Sequence, residues 1–334
     1  MNKQKNNPLI SVIMPVYNGG EFLHEVIQAI LNQTYINFEL LIFDDCSGDN
    51  SVEIIENFID KRIKLFKGEK NIGYVKGLNF LIGQSMGEFI ARNDQDDLSL
   101  PSRFEIQIKT LLNNPDIGVC GTQIKTFGKF SKKISYPTSD FDIKTQLIFN
   151  VGFHHPTIIF RKELCKGVAG NFYKEEFMPS EDYKLWTMLS TITSFKNTTS
   201  ILLKYRIHDN NFSSQKIQKQ KQNNLKIREQ YFKSFLGLSI NNKQNGLINK
   251  LIYNETILSS ELHEIKHLFL DIIKCSQNLL ERKSIKTLVF YFWIRACYLN
   301  FKKFKNLNTL IFLFNPYLIS IEIFSKKYLL KKIL

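Results

Sequence analysis

The chain has 334 residues, of which 43% are hydrophobic and 23% are charged, enough for one large domain with a smaller one or for two comparable domains. Its net charge is +14, and residues 216–334 carry 21 Lys and Arg against 7 Asp and Glu. This asymmetry fits a surface for an anionic partner, such as a membrane leaflet or nucleic acid, or a set of solvated lysine-rich helix faces.

The cysteines and the N-terminus exclude several classes of protein. The five cysteines are odd in number and widely spaced, without a C-x-x-C pair, which argues against a disulfide framework or a zinc site. A reducing cytosol is the expected compartment. The apolar run Leu9–Met14 is short and ends at Pro15 without a small-residue cleavage site, so we expect no signal peptide.

The first hundred residues alternate between predicted strands and helices. Short apolar runs predict four strands, at Leu9–Met14, Phe38–Phe43, Ile63–Phe66 and Phe89–Arg92. Apolar residues three and four apart predict the intervening helices, at Glu21–Gln33, at Ser51–Ile59 and through Leu78, Leu81 and Ile82. This alternation indicates an α/β fold with a mostly parallel sheet covered by helices on both faces.

Beyond residue 120 the pattern changes. The middle section has shorter strand-like segments and one predicted helix, at Phe153–Phe160, Ile201–Tyr205 and Glu181–Leu189. The chain then becomes helical and basic, and Lys216–Lys226 is either an exposed helix or a linker. Two apolar stretches, Leu288–Phe301 and Leu307–Phe324, contain Arg295 and Asn315-Pro316 respectively. Both fall short of the ~20 uninterrupted apolar residues that span a membrane.

Polar clusters follow three of the four predicted strands. They are Tyr17-Asn18, Asp44-Asp45 and Asp94–Asp97, and the carboxyl ends of parallel strands are where such sheets bind ligands. In an extended segment, Asp94 and Asp96 face one way and Gln95 and Asp97 the other. Two carboxylates on one side fit a Mn²⁺ or Mg²⁺ site, and the alternative is an acidic turn that caps a helix beginning near Pro101.

Six motifs together resemble those of a family 2 glycosyltransferase with the GT-A fold. In chain order they are SVIMPVYNGGEFLHEVIQAILNQTYINFELLIFDDCSGD, NIGYVKGLN, GEFIARNDQDDLSLPSR, HHPTIIFRKEL, SEDYKLW and YRIHDNNFS, which span roughly Leu9 to Ser214. The resemblance implies a catalytic domain in residues 1–214, with a nucleotide-sugar half at about 9–120 and an acceptor half at about 121–214. Residues 215–334 would form a basic, aromatic-rich helical region.

The resemblance also implies which residues bind the nucleotide. Tyr17 would stack on the base, Asp45 would accept a hydrogen bond from a uracil, and Asp44 would support that turn. The next nucleotide-contacting element would comprise Asn71, Gly73, Lys76 and Asn79. The alternatives are that Tyr17 packs in the core, that both aspartates only form a turn, and that Lys76 faces solvent.

The metal and the catalytic base are implied in the same way. Asp94 resembles the ribose- and metal-side acid of a D-x-D motif, Asp96 the metal ligand that bridges the diphosphate, and His208 a late histidine that reaches the metal or diphosphate. Asp182 resembles the base of an inverting transfer, with Glu181 beside it. An inverting transfer needs such a base to accept the proton of the acceptor hydroxyl. The alternative for both is that they are helix-start acids favoured by the helix dipole.

Other residues refine the prediction. His155 would shape the acceptor side, or else be an ordinary histidine at the start of a strand. Cys46 stands where the family commonly has a small residue, and we interpret it as a tolerated substitute rather than a nucleophile. The sequence contains no Q-x-x-R-W motif of processive synthases, which favours the addition of one sugar per encounter.

The predicted function is therefore a metal-dependent inverting transfer of one sugar. The donor would be a nucleotide-diphosphate sugar, expected to be a UDP-sugar, and the acceptor a glycan or lipid-linked saccharide of lipopolysaccharide, O-antigen or capsule biosynthesis. The alternative is a non-catalytic nucleotide-sugar-binding or scaffolding protein of a glycan-assembly complex. We expect a cytoplasmic protein that binds no nucleic acid.

The C-terminal helices have two interpretations. They would rest on the inner face of the cytoplasmic membrane, with lysines on anionic headgroups and aromatic faces in the interface. Alternatively, they form a subdomain that packs on the catalytic domain or makes an oligomer.

Overall fold

The computed structural model describes residues 7–209, 216–275 and 279–304. They divide into two compact units. The first comprises Met1–Ile143 with Val151–Gln220, and the second comprises Lys144–Asn150 with Lys221–Leu334. The predicted apolar stretch Leu307–Phe324 lies outside the described residues, as do Ser213 and Ser214.

The first unit is built on a sheet of nine strands. These are β1 (Ile10–Val16), β2 (Phe38–Asp44), β3 (Ile63–Lys67), β4 (Phe89–Arg92), β5 (Leu98–Ser99), β6 (Ile117–Gly128), β7 (Lys133–Ile134), β8 (Ile159–Arg161) and β9 (Ser194–Ile207). Helices connect them, at α1 (Gly20–Leu31), α2 (Ser51–Glu56), α3 (Tyr74–Gln84), α4 (Arg103–Leu112), α5 (Asp140–Gln146) and α6 (Glu181–Leu189). Short 3₁₀ helices lie at His155–Thr157, Lys162–Gly167 and Glu175–Phe177.

The strand order confirms the predicted α/β architecture. The strands run β3-β2-β1-β4-β8-β6-β9-β5, with β7 on β6. The four strands predicted from the first hundred residues are mutually parallel, and β6 and β9 are also parallel to each other. Strand β8 joins these two groups by antiparallel pairing with β4 and β6. The carboxyl ends of β1, β2 and β4 therefore meet at one edge of the sheet.

Strand β1 continues through Pro15, where the sequence predicted its end. The backbone N–H of Ile10 donates to the Asn37 carbonyl, on the side of β2. Backbone groups alternate in direction along a strand, so those at odd-numbered positions, including Pro15, point towards β4. Strand β4 ends at Arg92, opposite Ile13. Because no β4 residue lies opposite Pro15, the absence of an N–H there disrupts no ladder hydrogen bond.

The long strands β6 and β9 pair closely through a glycine. An added Cβ at Gly121 would lie 2.2 Å from Asn197 Oδ1, so only glycine fits this approach. The Asn197 side chain is fixed by donating to the carbonyls of Pro137 and Gly152, at 2.7 and 2.9 Å. The predicted strand Phe153–Phe160 was wrong over most of its length, because a 3₁₀ turn containing Pro156 precedes the short β8.

The second unit is helical. Its helices are α7 (Ile217–Tyr231, whose first turn belongs to the first unit), α8 (Asn242–Ile252), α9 (Ser259–Lys274) and α10 (Leu279–Phe304), so Lys216–Lys226 is largely helix. The rings of Phe149 and Phe292 stack at 4.0 Å in its core. Buried Arg228 donates to the side-chain oxygens of Asn245 and Asn249, at 2.8 and 2.9 Å. Among the described residues, we find no helix that is both long and apolar enough to cross a bilayer.

Candidate active site

Three carboxylates gather in the loop that follows β4. One ligand atom each of Asp94, Asp96 and Asp97 lies within 4.8 Å of the others. The prediction that Asp97 faces away from Asp94 and Asp96 was wrong, because the chain turns at residues 95–96 instead of remaining extended. Gln95 has a different role, since its amide accepts from the Tyr17 backbone N–H and donates to the Tyr17 carbonyl, at 2.8 and 3.1 Å. Gln95 thus joins the acidic loop to the loop after β1.

The structure places His208 beside this cluster. Its Nε2 lies 2.9 Å from Asp96 Oδ2. Its ring packs against Phe22 of α1, with ring centroids 5.1 Å apart. A carboxylate and an imidazole that converge in this way can share one metal ion.

Arg206, at the end of β9, holds the acidic loop and was not predicted. Its backbone N–H donates to Asp97 Oδ1 at 2.9 Å, and its Nε donates to the Asp96 carbonyl at 3.0 Å. Its guanidinium lies 4.3 Å from each of two ring centroids, those of Phe22 and Phe127. The available signal was its position two residues before His208, since residues two apart in an extended segment point to the same side.

A buried arginine forms hydrogen bonds to residues on both sides of the acidic loop. Arg103 is fully buried and donates from Nη1 to Asn93 Oδ1 and Ser99 Oγ, at 3.0 and 2.7 Å. Its Nη2 donates to the Arg92 carbonyl at 2.7 Å. Burial lowers the pKa of the Arg103 guanidinium to about 9, although the nearby Asp97 and Asp94 carboxylates oppose this shift. This network fixes the backbone on both sides of the acidic turn.

The charge balance of the loop fits a bound cation. Burial, followed by the charges of Asp96 and Asp94, raises the pKa of Asp97 well above its ordinary value. Burial also raises the pKa of Asp94, against the opposing effect of Arg92. Within the described part of the chain, no donor reaches the buried Asp97 Oδ2. Clustered carboxylate oxygens and an imidazole nitrogen match the preferences of Mn²⁺, and the oxygens alone suit Mg²⁺.

The nucleotide-side residues lie along the neighbouring strand ends. The Tyr17 ring is 49% exposed at the end of β1, which is suited to stacking rather than to core packing. Asp45 accepts from the backbone N–H groups of Ile72 and Gly73, at 2.6 and 2.8 Å, and so ties two loops together. Buried Asp44 accepts from the Ser47 N–H at 3.1 Å, in agreement with a turn-supporting role.

Other members of the predicted nucleotide element have different surroundings. Lys76 forms a half-exposed ion pair of 3.1 Å with Glu175. The Asn79 side-chain amide donates to the Tyr173 carbonyl and accepts from the Tyr173 N–H, at 2.9 Å each. Asn79 therefore has a structural role here. Asn71 is exposed on the loop before α3. Gly73 adopts φ +88°, which favours glycine at that position.

Helix α6 begins at Glu181, as predicted, and presents two acidic side chains in its first turn. Burial raises the pKa of Asp182 to about 6, against the lowering effects of the Tyr183 N–H and of Arg92. Burial, with the charge of Asp182, raises the pKa of Glu181 to about 7. Burial thus moves the pKa values of both carboxyls upward, towards neutral pH, where a general base is most effective.

Two histidines line the same region, and both are held neutral. His155 Nε2 lies 2.9 Å from the Tyr173 hydroxyl, and its Nδ1 lies 3.8 Å from Glu181 Oε1. The adjacent His154, which was not predicted, lies 3.2 Å from the Tyr136 hydroxyl through Nδ1. Burial, with the charge of Arg92, lowers the pKa of His154 to about 3 and that of His155 well below its ordinary value. Neutral imidazoles can accept or donate hydrogen bonds to a saccharide hydroxyl.

Comparisons with known proteins identify the family of this chain. The family model described as "Glycosyl transferase family 2" matches residues 11–169. An uncharacterized glycosyltransferase of Haemophilus influenzae is 30% identical over 82% of this chain and 95% of its own length. This chain belongs to glycosyl transferase family 2. It is a glycosyltransferase.

Two further relatives have more specific names. The O-antigen biosynthesis glycosyltransferase WbnJ of Escherichia coli is 36% identical over 62% of this chain and 82% of its own length. The E. coli protein named UDP-Glc:alpha-D-GlcNAc-diphosphoundecaprenol beta-1,3-glucosyltransferase WfgD is 32% identical over 64% of this chain and 83% of its own length.

Solved structures identify the fold. S. aureus TarS residues 1–349, in complex with UDP-GlcNAc, matches with a TM-score of 0.54 at 18% identity, over 86% of this chain and 88% of that one. The mannosyltransferase PcManGT from Pyrobaculum calidifontis, in complex with GDP-Man and Mn²⁺, matches with a TM-score of 0.53 at 15% identity, over 94% and 81%. The fold is the GT-A fold, as predicted.

Proposed function

We propose that this glycosyltransferase moves one sugar from a UDP-sugar to a hydroxyl of a lipid-linked saccharide, with inversion and with a divalent cation. The observation that carries this proposal is the meeting of Asp96 and His208 beside Asp94 and Asp97, with the half-buried Asp182 within electrostatic reach of Asp94. We place this reaction in the biosynthesis of a cell-surface polysaccharide, on the cytoplasmic side of the membrane.

The cation would be Mn²⁺ or Mg²⁺, held by Asp96 and His208 with Asp94 completing the carboxylate set. When bound, such an ion acts as a Lewis acid for the negative charge that develops on the departing diphosphate. The acidic loop would supply the ligands, and Arg206 and Arg103 would keep them in place. A bound ion also offsets the mutual repulsion of three neighbouring carboxylates.

Asp182 would accept the proton of the acceptor hydroxyl as its oxygen attacks the anomeric carbon. Inversion requires this attack from the face opposite the diphosphate, so the base and the metal ligands belong on different sides of the sugar. A base with a pKa of about 6 is ionised at neutral pH and retains appreciable basicity. Neutral His155 and His154 would orient acceptor hydroxyls without competing for the proton.

The donor class rests on the nucleotide-side residues and on the named relatives. The exposed Tyr17 ring would stack on the base, and the second lone pairs of the Asp45 carboxylate would accept from a uracil N–H. WfgD carries UDP-Glc and a diphosphoundecaprenol acceptor in its name, and TarS was solved with UDP-GlcNAc. These names support a UDP-hexose or UDP-N-acetylhexosamine donor here.

The proposal is tested by a panel of donors. Release of nucleotide diphosphate from UDP-glucose, UDP-galactose, UDP-N-acetylglucosamine and GDP-mannose is measured with Mn²⁺, with Mg²⁺ and with a chelator. We expect turnover of a UDP-sugar that requires a divalent cation and increases when polyprenyl-diphosphate-linked sugars are added. Binding of a UDP-sugar without turnover under any of these conditions would favour the non-catalytic alternative.

A further inference from the structure

A buried arginine at the end of β4 has unused hydrogen-bonding capacity inside the site. Arg92 is 6% exposed, and its Nη1 forms an ion pair of 2.7 Å with Asp94 Oδ1. No acceptor within the described ranges takes a hydrogen bond from its Nε. A guanidinium carries five N–H donors, and leaving them unpaired away from water is unfavourable. The unused donor indicates that a ligand atom completes the set.

Arg92 lies within electrostatic reach of both the acidic loop after β4 and the acidic first turn of α6. Its backbone is fixed, because Arg103 donates to its carbonyl at 2.7 Å and its N–H donates to the Ile158 carbonyl at 3.0 Å. Its charge acts on Asp94 in the acidic loop and also on Glu181 and Asp182 of α6. The transferred sugar must occupy this same space, between the diphosphate ligands and the base.

The charge around Arg92 disfavours an anionic group on the transferred sugar. Arg92 is already paired with Asp94, and the carboxylates of Glu181 and Asp182 also lie within its electrostatic reach. Carboxylates therefore outnumber the guanidinium here, and because the diphosphate would take up the charge of a bound divalent cation, a carboxylate on the sugar would be repelled. A sugar hydroxyl is neutral, and it can accept from the guanidinium while it donates to a neighbouring carboxylate.

We propose that Arg92 donates a hydrogen bond to a hydroxyl of the transferred sugar, and that the donor sugar is neutral rather than a uronate. This inference rests on the proposed function, since it assigns a subsite within the nucleotide-sugar pocket. Arg92 would be a specificity-determining residue for the sugar and would leave recognition of the nucleotide to Tyr17 and Asp45.

The test is calorimetric binding of UDP, UDP-glucose, UDP-N-acetylglucosamine and UDP-glucuronate, with Mn²⁺, to the parent and to Arg92→Lys. Lysine keeps the positive charge beside Asp94 but cannot place the Nε donor. We expect the Kd of UDP to change by less than about threefold, and the Kd of the preferred neutral UDP-sugar to rise about tenfold or more. UDP-glucuronate should bind no more tightly than UDP to either protein.

Controls separate this inference from folding and from the proposed function. Arg62→Lys, at an ion pair with Asp60 beside the opposite edge of the sheet, should change none of the four Kd values. An equal loss of UDP and UDP-sugar binding in Arg92→Lys would overturn the inference and indicate a contact with the diphosphate. Unchanged binding of all ligands, or preferred binding of UDP-glucuronate, would also overturn it. A parent protein that binds neither UDP nor any UDP-sugar would instead contradict the proposed function.

Discussion

The pKa of Asp182, the proposed base, is set mainly by burial. Its raised pKa means that burial disfavours its ionised form, so the folded protein keeps an ionised carboxylate there at a cost in stability. The sign of the linkage follows from the direction of the shift. The cost is full above the folded pKa of about 6, declines as the pH falls below it, and is gone below the ordinary pKa of 3.8, where the carboxyl is protonated in both states.

We predict that Asp182→Asn reduces kcat by about 10²–10⁴-fold, because the acceptor hydroxyl loses its base. The Kd of the donor should stay nearly unchanged, and the melting temperature at pH 8 should stay level or rise because a half-buried, poorly solvated charge is removed. In the parent, kcat/KM should fall about tenfold per pH unit below the Asp182 pKa of about 6. Retained turnover in Asp182→Asn, or a flat profile down to pH 5, would remove Asp182 from this role.

At the scale of an element, the carboxyl end of β9 positions the acidic loop of β4. Arg206 donates to both Asp96 and Asp97, while His208 lies two residues further along the chain, just beyond the end of β9. The proposed metal ligands, which come from two distant segments of the chain, are thereby held close together. Residues that orient metal ligands typically change metal affinity by about 10–100-fold when they are replaced.

We therefore predict that Arg206→Lys weakens Mn²⁺ binding about tenfold, measured by electron paramagnetic resonance in the presence of saturating UDP. The shorter, more flexible amine cannot reproduce the Nε contact with the Asp96 carbonyl. Arg62→Lys serves as the matched control and should leave Mn²⁺ affinity unchanged. If Arg206→Lys lowers only the melting temperature and leaves the Mn²⁺ affinity intact, the residue is merely structural.

A second prediction concerns the pairing of β6 with β9. Gly121→Ala should destabilise the protein by about 2–3 kcal/mol, because its Cβ would meet Asn197 Oδ1 at 2.2 Å and a ring carbon of Phe153 at 2.7 Å. Gly83→Ala in α3 is the control, since no atom lies within 4 Å of its added Cβ, and it should stabilise by about 0.5–1 kcal/mol. Urea titration of both variants checks these values. If Gly121→Ala leaves the free energy of unfolding unchanged, β6 and β9 can move apart without loss of stability.

The sequence predicts well those elements whose residues form a clear apolar pattern. It misses elements that are stabilised by pairing with a distant strand. Strand β2 is buried along its whole length and is apolar through most of it, and α6 begins at the predicted residue. Strand β6 is equally buried through most of its length, yet Gly118, Gly121 and Thr122 give it no apolar run. Its stability comes from pairing with β9, which local periodicity does not reveal.

The order of the sequence motifs predicted some residues of the candidate site. Residues whose roles depend on contacts with distant segments were not predicted. The motif order led to Asp96, Asp182 and His208, and the structure gathers the first and last of these within 2.9 Å. Arg92 and Arg206 stand inside the same motifs, but their roles depend on which carboxylates the fold brings to them. Those partners lie on different segments, so residue type and spacing alone do not identify them.

At the scale of the whole molecule, the basic C-terminal third is a candidate for contact with the membrane. The last described turn of α10 exposes Lys302, Lys303 and Phe304, with exposed Tyr298 one to two turns earlier. Lysines beside exposed aromatic rings fit an anionic lipid interface, where each basic residue contributes about 1 kcal/mol. A lipid-linked acceptor would be found at the same interface.

We predict that the protein floats with vesicles of phosphatidylcholine and phosphatidylglycerol in a 7:3 ratio at low salt, but not with pure phosphatidylcholine. Lys302→Glu with Lys303→Glu should weaken this binding about tenfold or more. The control pair Lys132→Glu with Lys133→Glu, exposed in the first unit, makes the same change of charge and should have little effect. No flotation with anionic vesicles at low salt would end the membrane proposal.

The most direct test of the whole account is the dependence of sugar transfer on metal in the parent and in Asp96→Ala. Turnover of the preferred UDP-sugar is measured in chelator-treated buffer and then during titration with Mn²⁺. We predict that the parent is inactive without metal and recovers on addition of Mn²⁺, while Asp96→Ala remains at least about a hundredfold slower at every concentration. Turnover by the parent in the metal-free buffer, or recovery of Asp96→Ala on addition of Mn²⁺ to the rate of the parent, would contradict the account.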